Sequence, residues 1–219
     1  NMAFTVPQDG QGLANLYGGR EKLAERLDGL FNASPDLVQD GTIHEMVEAR
    51  DLKMGLYGHS NQPSHHIPYM YNYAGRPDRT QEVVREVLAR AYVGSDFGQG
   101  YIGDEDNGEM SAWYILSALG IYPVNMGSGE YAIGSPLFTK ATIHLECGED
   151  LVINAPNNSR ENIYVQGVKL NGEEYNKTYF NYSDLIHGAV IDFDMGDTPS
   201  DWVTSEDALP TSITEGDQV

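Results

Sequence analysis

Basic residues are scarce in this sequence. Lys and Arg number 13 among 219 residues, against 33 Asp and Glu, which leaves a formal charge of −20. A field of that sign repels phosphate backbones and anionic lipid surfaces, so neither nucleic acid nor a membrane is an expected partner. Bulk acidity otherwise serves solubility. Cysteine is almost missing. Cys147 stands alone, which excludes an internal disulfide and leaves the redox compartment open. No apolar run approaches the roughly 20 residues of a membrane-crossing helix. The opening residues, Asn1-Met2-Ala3-Phe4-Thr5, lack a charged region followed by a leader core, and the chain reads as an interior piece of something longer. Its 40% hydrophobic content suffices for one sizeable core, or one core and a smaller module.

Two compositions meet near residue 125. The first is helical. Leu23, Leu27, Leu30 and Phe31 share one face of a helix over 20–31. Asp78 is placed to cap a second helix, whose apolar positions Val83, Val84, Val87, Leu88 and Ala91 keep the helical period. Asn107 is placed to cap a third, carrying Met110, Trp113, Tyr114 and Leu116 and stopping near Gly120. Pro63 suits the first turn of a helix after Asn61, and Pro68 should kink or end it. The connections are rich in Gly, Tyr, His and Asn, as loops forming a functional face often are.

The second composition reads as strands over 141–145 and 151–154. A hairpin follows from Ile163 through the tight turn Asn171-Gly172, and 189–195 alternates as a half-buried strand does. The expected organisation is a helical part over 1–125, a β-rich region over 126–196 and a flexible tail or linker over 197–219.

Chemistry concentrates in two stretches. In Gly103-Asp104-Glu105-Asp106-Asn107-Gly108-Glu109, four carboxylates fall within six residues and run straight into an apolar helix. A helix start presents free N–H groups and the positive end of its dipole, which keeps an aspartate ionised as a general base or metal ligand must be. The plainer reading is a helix cap with solvated charges. A helix–loop–helix calcium loop is excluded by counting. From Asp104 the fifth and sixth residues are Gly108 and Glu109, and the twelfth is Ile115 rather than Glu.

The other stretch is Gly58-His59-Ser60-Asn61-Gln62-Pro63-Ser64-His65-His66. Adjacent histidines cannot share one helix face, and no HExxH or CxxC is present, which argues against zinc. Asn61 and Gln62 offer oxygen ligands of the kind calcium takes. The competing reading is a capped helix with histidines satisfied in a core. Tyr57, Tyr69, Tyr71, Tyr73 and Tyr101 could line a sugar cleft, whereas Trp113 and Tyr114 fit core packing better. Four Asn-x-Ser/Thr triplets are too short to carry an inference.

Three stretches together resemble glycoside hydrolase family 92, the calcium-dependent exo-acting α-mannosidases. They are Phe4-Thr5-Val6-Pro7-Gln8-Asp9, then His59 to Tyr69, then Gly103 to Tyr114, continued by Ser117 to Val124. The resemblance spans about 4–145. It implies an α+β chain, with a portion of an (α/α)6 barrel followed by a smaller antiparallel β region. It also implies inverting hydrolysis of terminal α-mannosides with calcium on the sugar's vicinal hydroxyls, and a secreted, periplasmic or cell-surface parent enzyme. By position it makes Asp106 the general base with Asp104 its partner, puts His59, His65 and Glu109 near the substrate, and puts Asn61 and Gln62 on the metal. Two departures stand out. Position 62 more often holds Glu in the family. The family's general acid is a Glu just before the Phe-x-Val-Pro segment, so the chain is expected to be an incomplete, inactive piece that self-associates through bared apolar surface. The other function class the residues allow is a non-catalytic carbohydrate- or calcium-binding module.

Overall fold

A computed structural model describes residues 1–34, 43–94 and 100–216. Helices dominate up to residue 118: α1 (Gly10–Tyr17), α2 (Arg20–Phe31), α3 (His44–Leu52), α4 (Met70–Tyr73), α5 (Pro77–Ala91) and α6 (Glu109–Ala118). The apolar spacing expected for 20–31 and 83–91 is what α2 and α5 bury. The expected caps differ. Pro77 opens α5 with Arg76 before it, and Asp78 pairs with Arg76 instead. Gly108 rather than Asn107 precedes α6, without a side-chain cap of its own. The two prolines break the expected helix after Asn61 into short 3-10 turns at Gln62–Ser64 and Ile67–Tyr69, which lead into α4.

Strands follow: β1 (Ile121–Tyr122), β2 (Glu130–Ile133), β3 (Lys140–His144), β4 (Asp150–Asn154), β5 (Tyr164–Leu170), β6 (Glu173–Glu174), β7 (Tyr179–Asn181) and β8 (Ala189–Gly196), with a four-residue helix α7 (Tyr182–Leu185) before β8. They form one sheet of order β1-β2-β7 and a second of order β3-β4-β8-β5-β6. Asn171 and Gly172, at φ 52 and 88, make the expected tight turn, with Leu170 opposite Glu173. The expectation of an antiparallel region needs correction. β4 and β8 run parallel, because β5 to β7 intervene in the chain and return it to the same end of the sheet.

Two apolar cores lie side by side. Trp113, Tyr57 and Leu27 belong to the helical one, and Phe180, Ile191 and Phe193 to the β one. Helix α6 lies between them. Met110 and Trp113 enter the helical core, while Leu116 packs against both. That double contact accounts for Leu116, whereas Ile115 on the same helix stays exposed.

The stretch from 197, expected to be a flexible tail, is instead a strap as far as residue 216, and 217–219 lie outside the described residues. Trp202, Ala208 and Leu209 are buried. Thr211 donates to Glu130, and Ser212 Oγ accepts from the Gln11 amide. Asp9 caps α1 at Gly12 and accepts from the amide and hydroxyl of Thr214. The few apolar anchors in this stretch are spaced to reach both halves of the molecule, which its polar composition concealed. Burial pushes the Asp9 carboxyl up, but the bonds from Thr214 and Gly12 outweigh it and hold the pKa below the usual range. A depressed pKa means stability that is present above the unfolded pKa, near 3.9, and lost as pH falls through the folded value. Asp9→Ala is therefore expected to cost about 1–2 kcal/mol at neutral pH, shrinking towards zero in strong acid, as urea unfolding at both pH values will show.

Candidate active site

The histidine-rich loop is knotted into the helical core by hydrogen bonds. His59 is 0% exposed, with Nδ1 2.8 Å from the Tyr57 hydroxyl and Nε2 2.8 Å from the Tyr92 hydroxyl. Tyr92 donates onward to the Met110 carbonyl at 3.0 Å. That leaves Tyr92 as acceptor from Nε2–H, so Nδ1 accepts from Tyr57 and the ring is neutral. Burial and the neighbouring His65 hold its pKa well below the ordinary histidine value. His59, expected beside a sugar, is therefore a buried support with both nitrogens engaged. Tyr92 was not singled out in the sequence. It sits just past α5, and nothing local reveals that it closes on a histidine 33 residues away.

His65 stacks on His59 with ring centroids 4.5 Å apart and is 1% exposed. Its Nε2 faces the His59 carbonyl at 2.9 Å, so Nε2 carries the proton of the neutral ring and Nδ1 keeps a lone pair. Burial brings its pKa down to about 4, against the opposing pull of that carbonyl. Among the described residues Nδ1 has no hydrogen-bond partner, and it lies 3.6 Å from Glu109 Oε1. Glu109 opens α6 and is partly exposed, and burial together with the charge of Asp106 raises its pKa. Trp113, one turn further along α6, donates to the His65 carbonyl at 3.0 Å. His66 is tied instead to the Phe4 carbonyl at 2.7 Å, which fixes the N-terminal segment to the loop.

The acidic turn lies against this loop. Gly103 approaches so closely that a Cβ there would meet Ser60 Cβ at 2.5 Å, and its φ of 75 excludes most side chains as well. Gln62 Nε2 reaches the Asp104 carbonyl at 3.5 Å. Asp106, Asn107 and Gly108 then take left-handed φ values of 48, 59 and 96 in succession. Asp and Asn tolerate that region better than other non-glycine residues, yet such strain persists only where the surroundings enforce it. The reversed turn leaves Asp104 and Asp106 exposed, while Glu105 folds back to accept from the Ser111 amide at 3.2 Å. Glu105 is thus the cap of α6, and Asp104 and Asp106 keep their carboxylates exposed.

Calcium fits the donor chemistry here better than zinc does. Both His59 nitrogens are engaged, which leaves the single lone pair of buried His65 Nδ1, too few imidazole donors for a zinc site. Asn61 is exposed, Gln62 is half-buried, and both carry amide oxygens beside the turn. Among the described residues no group of three or more His, Cys, Asp or Glu side chains could hold a metal ion. A cation at this place would therefore rely on amide and carbonyl oxygens, which suit a hard ion.

Comparison with known proteins bears on this geometry. The model of the glycosyl hydrolase family 92 catalytic domain matches residues 1–197. A curated relative from Arthroderma benhamiae, described as an uncharacterized secreted glycosidase, is 30% identical over 97% of this chain and 25% of its own length. Among solved structures, the GH92 α-mannosidase BT3965 of Bacteroides thetaiotaomicron superposes with a TM-score of 0.85 at 34% identity, over 96% of this chain and 27% of that one. The GH92 inverting mannosidase BT2199 of the same species gives 0.81 at 40%, over 96% of this chain and 29% of that one. The chain thus spans about a quarter of the length of the relatives it matches.

Proposed function

The chain belongs to glycosyl hydrolase family 92, and from that premise we propose that it carries the water-activating side of an inverting α-mannosidase site. The observation behind this reading is the strained acidic turn, which leaves two aspartates exposed beside a buried neutral histidine cluster. Solved relatives include an enzyme described as an inverting mannosidase and one in complex with mannoimidazole.

Inversion needs a carboxylate that takes a proton from water on the face opposite the leaving group. Asp106 is the residue assigned to that step, with Asp104 holding the water from the other side. His65 Nδ1 is an acceptor for a sugar hydroxyl, and the Glu109 carboxylate is a second one close by. His59 positions His65 by stacking and by its carbonyl. Asn61 and Gln62 would hold calcium through their amide oxygens, and the bound ion would supply Lewis-acid contact with vicinal sugar hydroxyls. The helical part is read as a portion of an (α/α)6 barrel, and the substrate as a mannose-containing glycan met in a secreted, periplasmic or cell-surface setting.

Calcium linkage tests the metal part directly. A ligand that binds only the folded chain raises its melting temperature with concentration. Calcium is expected to raise the Tm in a differential scanning experiment, and Asn61→Ala is expected to remove the rise. Magnesium at equal concentration should do less, because it gives up water reluctantly. A Tm blind to calcium would sink the assignment of Asn61 and Gln62. The anomer released by the parent enzyme tests the rest, since inversion requires β-mannose to appear first by proton NMR.

A further inference from the structure

The second sheet has a face that the acidic turn does not use. Strand register brings Lys140, Asn154, Asp192, Lys169 and Glu174 into one line across all five strands. Each step is about 4.8 Å, the distance between neighbouring strands. Two contacts link members of the row. Asn154 donates to Asp192 at 2.8 Å, and Lys169 pairs with Glu174 at 3.3 Å. Beyond it, Asp194 lies opposite Gly167, and these residues floor a cleft of about 1070 Å³ with Pro156 and Asn157 at its side.

Gly167 gives the cleft its depth. It sits inside β5, where glycine weakens a strand and marks a bulge or a close approach by another molecule. A Cβ built there would meet nothing within 4 Å, so the space above it is open. The register slips between Val165 and Gly167, and the bulge turns the Gln166 amide to the carbonyls of Tyr164 and Thr198.

We propose that this cleft is a second, non-catalytic binding site for a neutral, hydroxyl-rich ligand of the oligosaccharide class. The lining decides the class. Lys140 and Lys169 face Asp192, Asp194 and Glu174, a near balance that favours neither an anion nor a cation. Ile153, Val168, Ile191 and Phe193 are buried in the core, yet Val168 and Phe193 also border the cleft with Pro156, so its lining mixes apolar and polar surface as the two faces of a sugar ring do. Along this floor runs a row of donors and acceptors of both kinds at short, regular intervals, which vicinal hydroxyls can bridge. The site depends on β3 to β8 alone, so it does not require the acidic turn to be catalytic.

Backbone amide NMR on the 219-residue chain tests this, with an α-linked mannobiose as the probe and sorbitol as a non-glycan polyol control. Shifts at Gly167, Asp192 and Asp194 that saturate with mannobiose are expected, with none from sorbitol. Gly167→Val points its side chain into open space at a non-positive φ, so the fold should persist, and these shifts should vanish. Any shifts near His65 and Glu109 should survive that exchange, which separates this site from the proposed catalytic one. Shifts confined to the acidic turn, shifts unchanged by Gly167→Val, or no saturation on the sheet face would overturn the proposal.

Discussion

In the parent enzyme, Asp106→Asn is expected to lower mannoside turnover by about 10²–10⁴-fold, the usual worth of a general base. The exchange is informative because it changes so little else. Asn occupies left-handed backbone as readily as Asp, so the turn at φ 48 should keep its path. The amide has nearly the size of the carboxylate and lacks only the charge and the basicity. The loss should therefore appear in kcat on an aryl α-mannoside, with KM and the calcium response close to those of the native protein. Undiminished turnover would remove Asp106 from the base role. A parent enzyme that binds glycan in both forms but never turns it over would point to a binding module instead.

Trp113→Ala carries the largest expected effect on stability. Trp113 is 1% exposed, packs edge-on against His59 at 4.5 Å and stacks parallel to Tyr92 at 5.8 Å. Truncating a large buried aromatic costs about 3–5 kcal/mol. It also strands the His65 carbonyl, which accepts the indole N–H. Trp113→Phe separates the two contributions. It keeps most of the apolar contact and loses the hydrogen bond, so about 1 kcal/mol is expected from that loss, together with a packing loss smaller than that of the alanine variant. Urea unfolding will give both values. A loss under about 1 kcal/mol for the alanine variant would mean that the site collapses around the gap and that the indole is not its keystone.

Much of this architecture was legible because apolar periodicity is a local signal. The spacing of Leu23, Leu27 and Leu30 announced α2, and Asn171-Gly172 announced its hairpin. The acidic turn was visible as an unusual density of carboxylates between glycines, and its closeness to the histidine loop followed from resemblance rather than from any rule of spacing. What the sequence concealed depends on contacts across the fold. His59 reads as a residue beside the substrate until Tyr57 and Tyr92 are seen to occupy both its nitrogens. Glu105 and Asp106 are neighbours of the same chemical kind, and only the left-handed turn sends one to cap the helix and the other to solvent. The strap from Trp202 to Gly216 looked like linker because polar residues fill it, yet its hydrogen bonds go to Asp9, Gln11 and Glu130, far off in sequence. The parallel pairing of β4 with β8 was equally hidden, since strand direction is set by the return path and not by the strand's own residues.

Helix α6 begins at the acidic turn and then seals both interiors along its length. Thermal loosening of the β half is thereby transmitted to the aspartates, although no strand touches them. The geometry of the proposed site and the integrity of the distant sheet become one cooperative property, so that substitutions deep in either interior reach the acidic turn without altering any of its own groups.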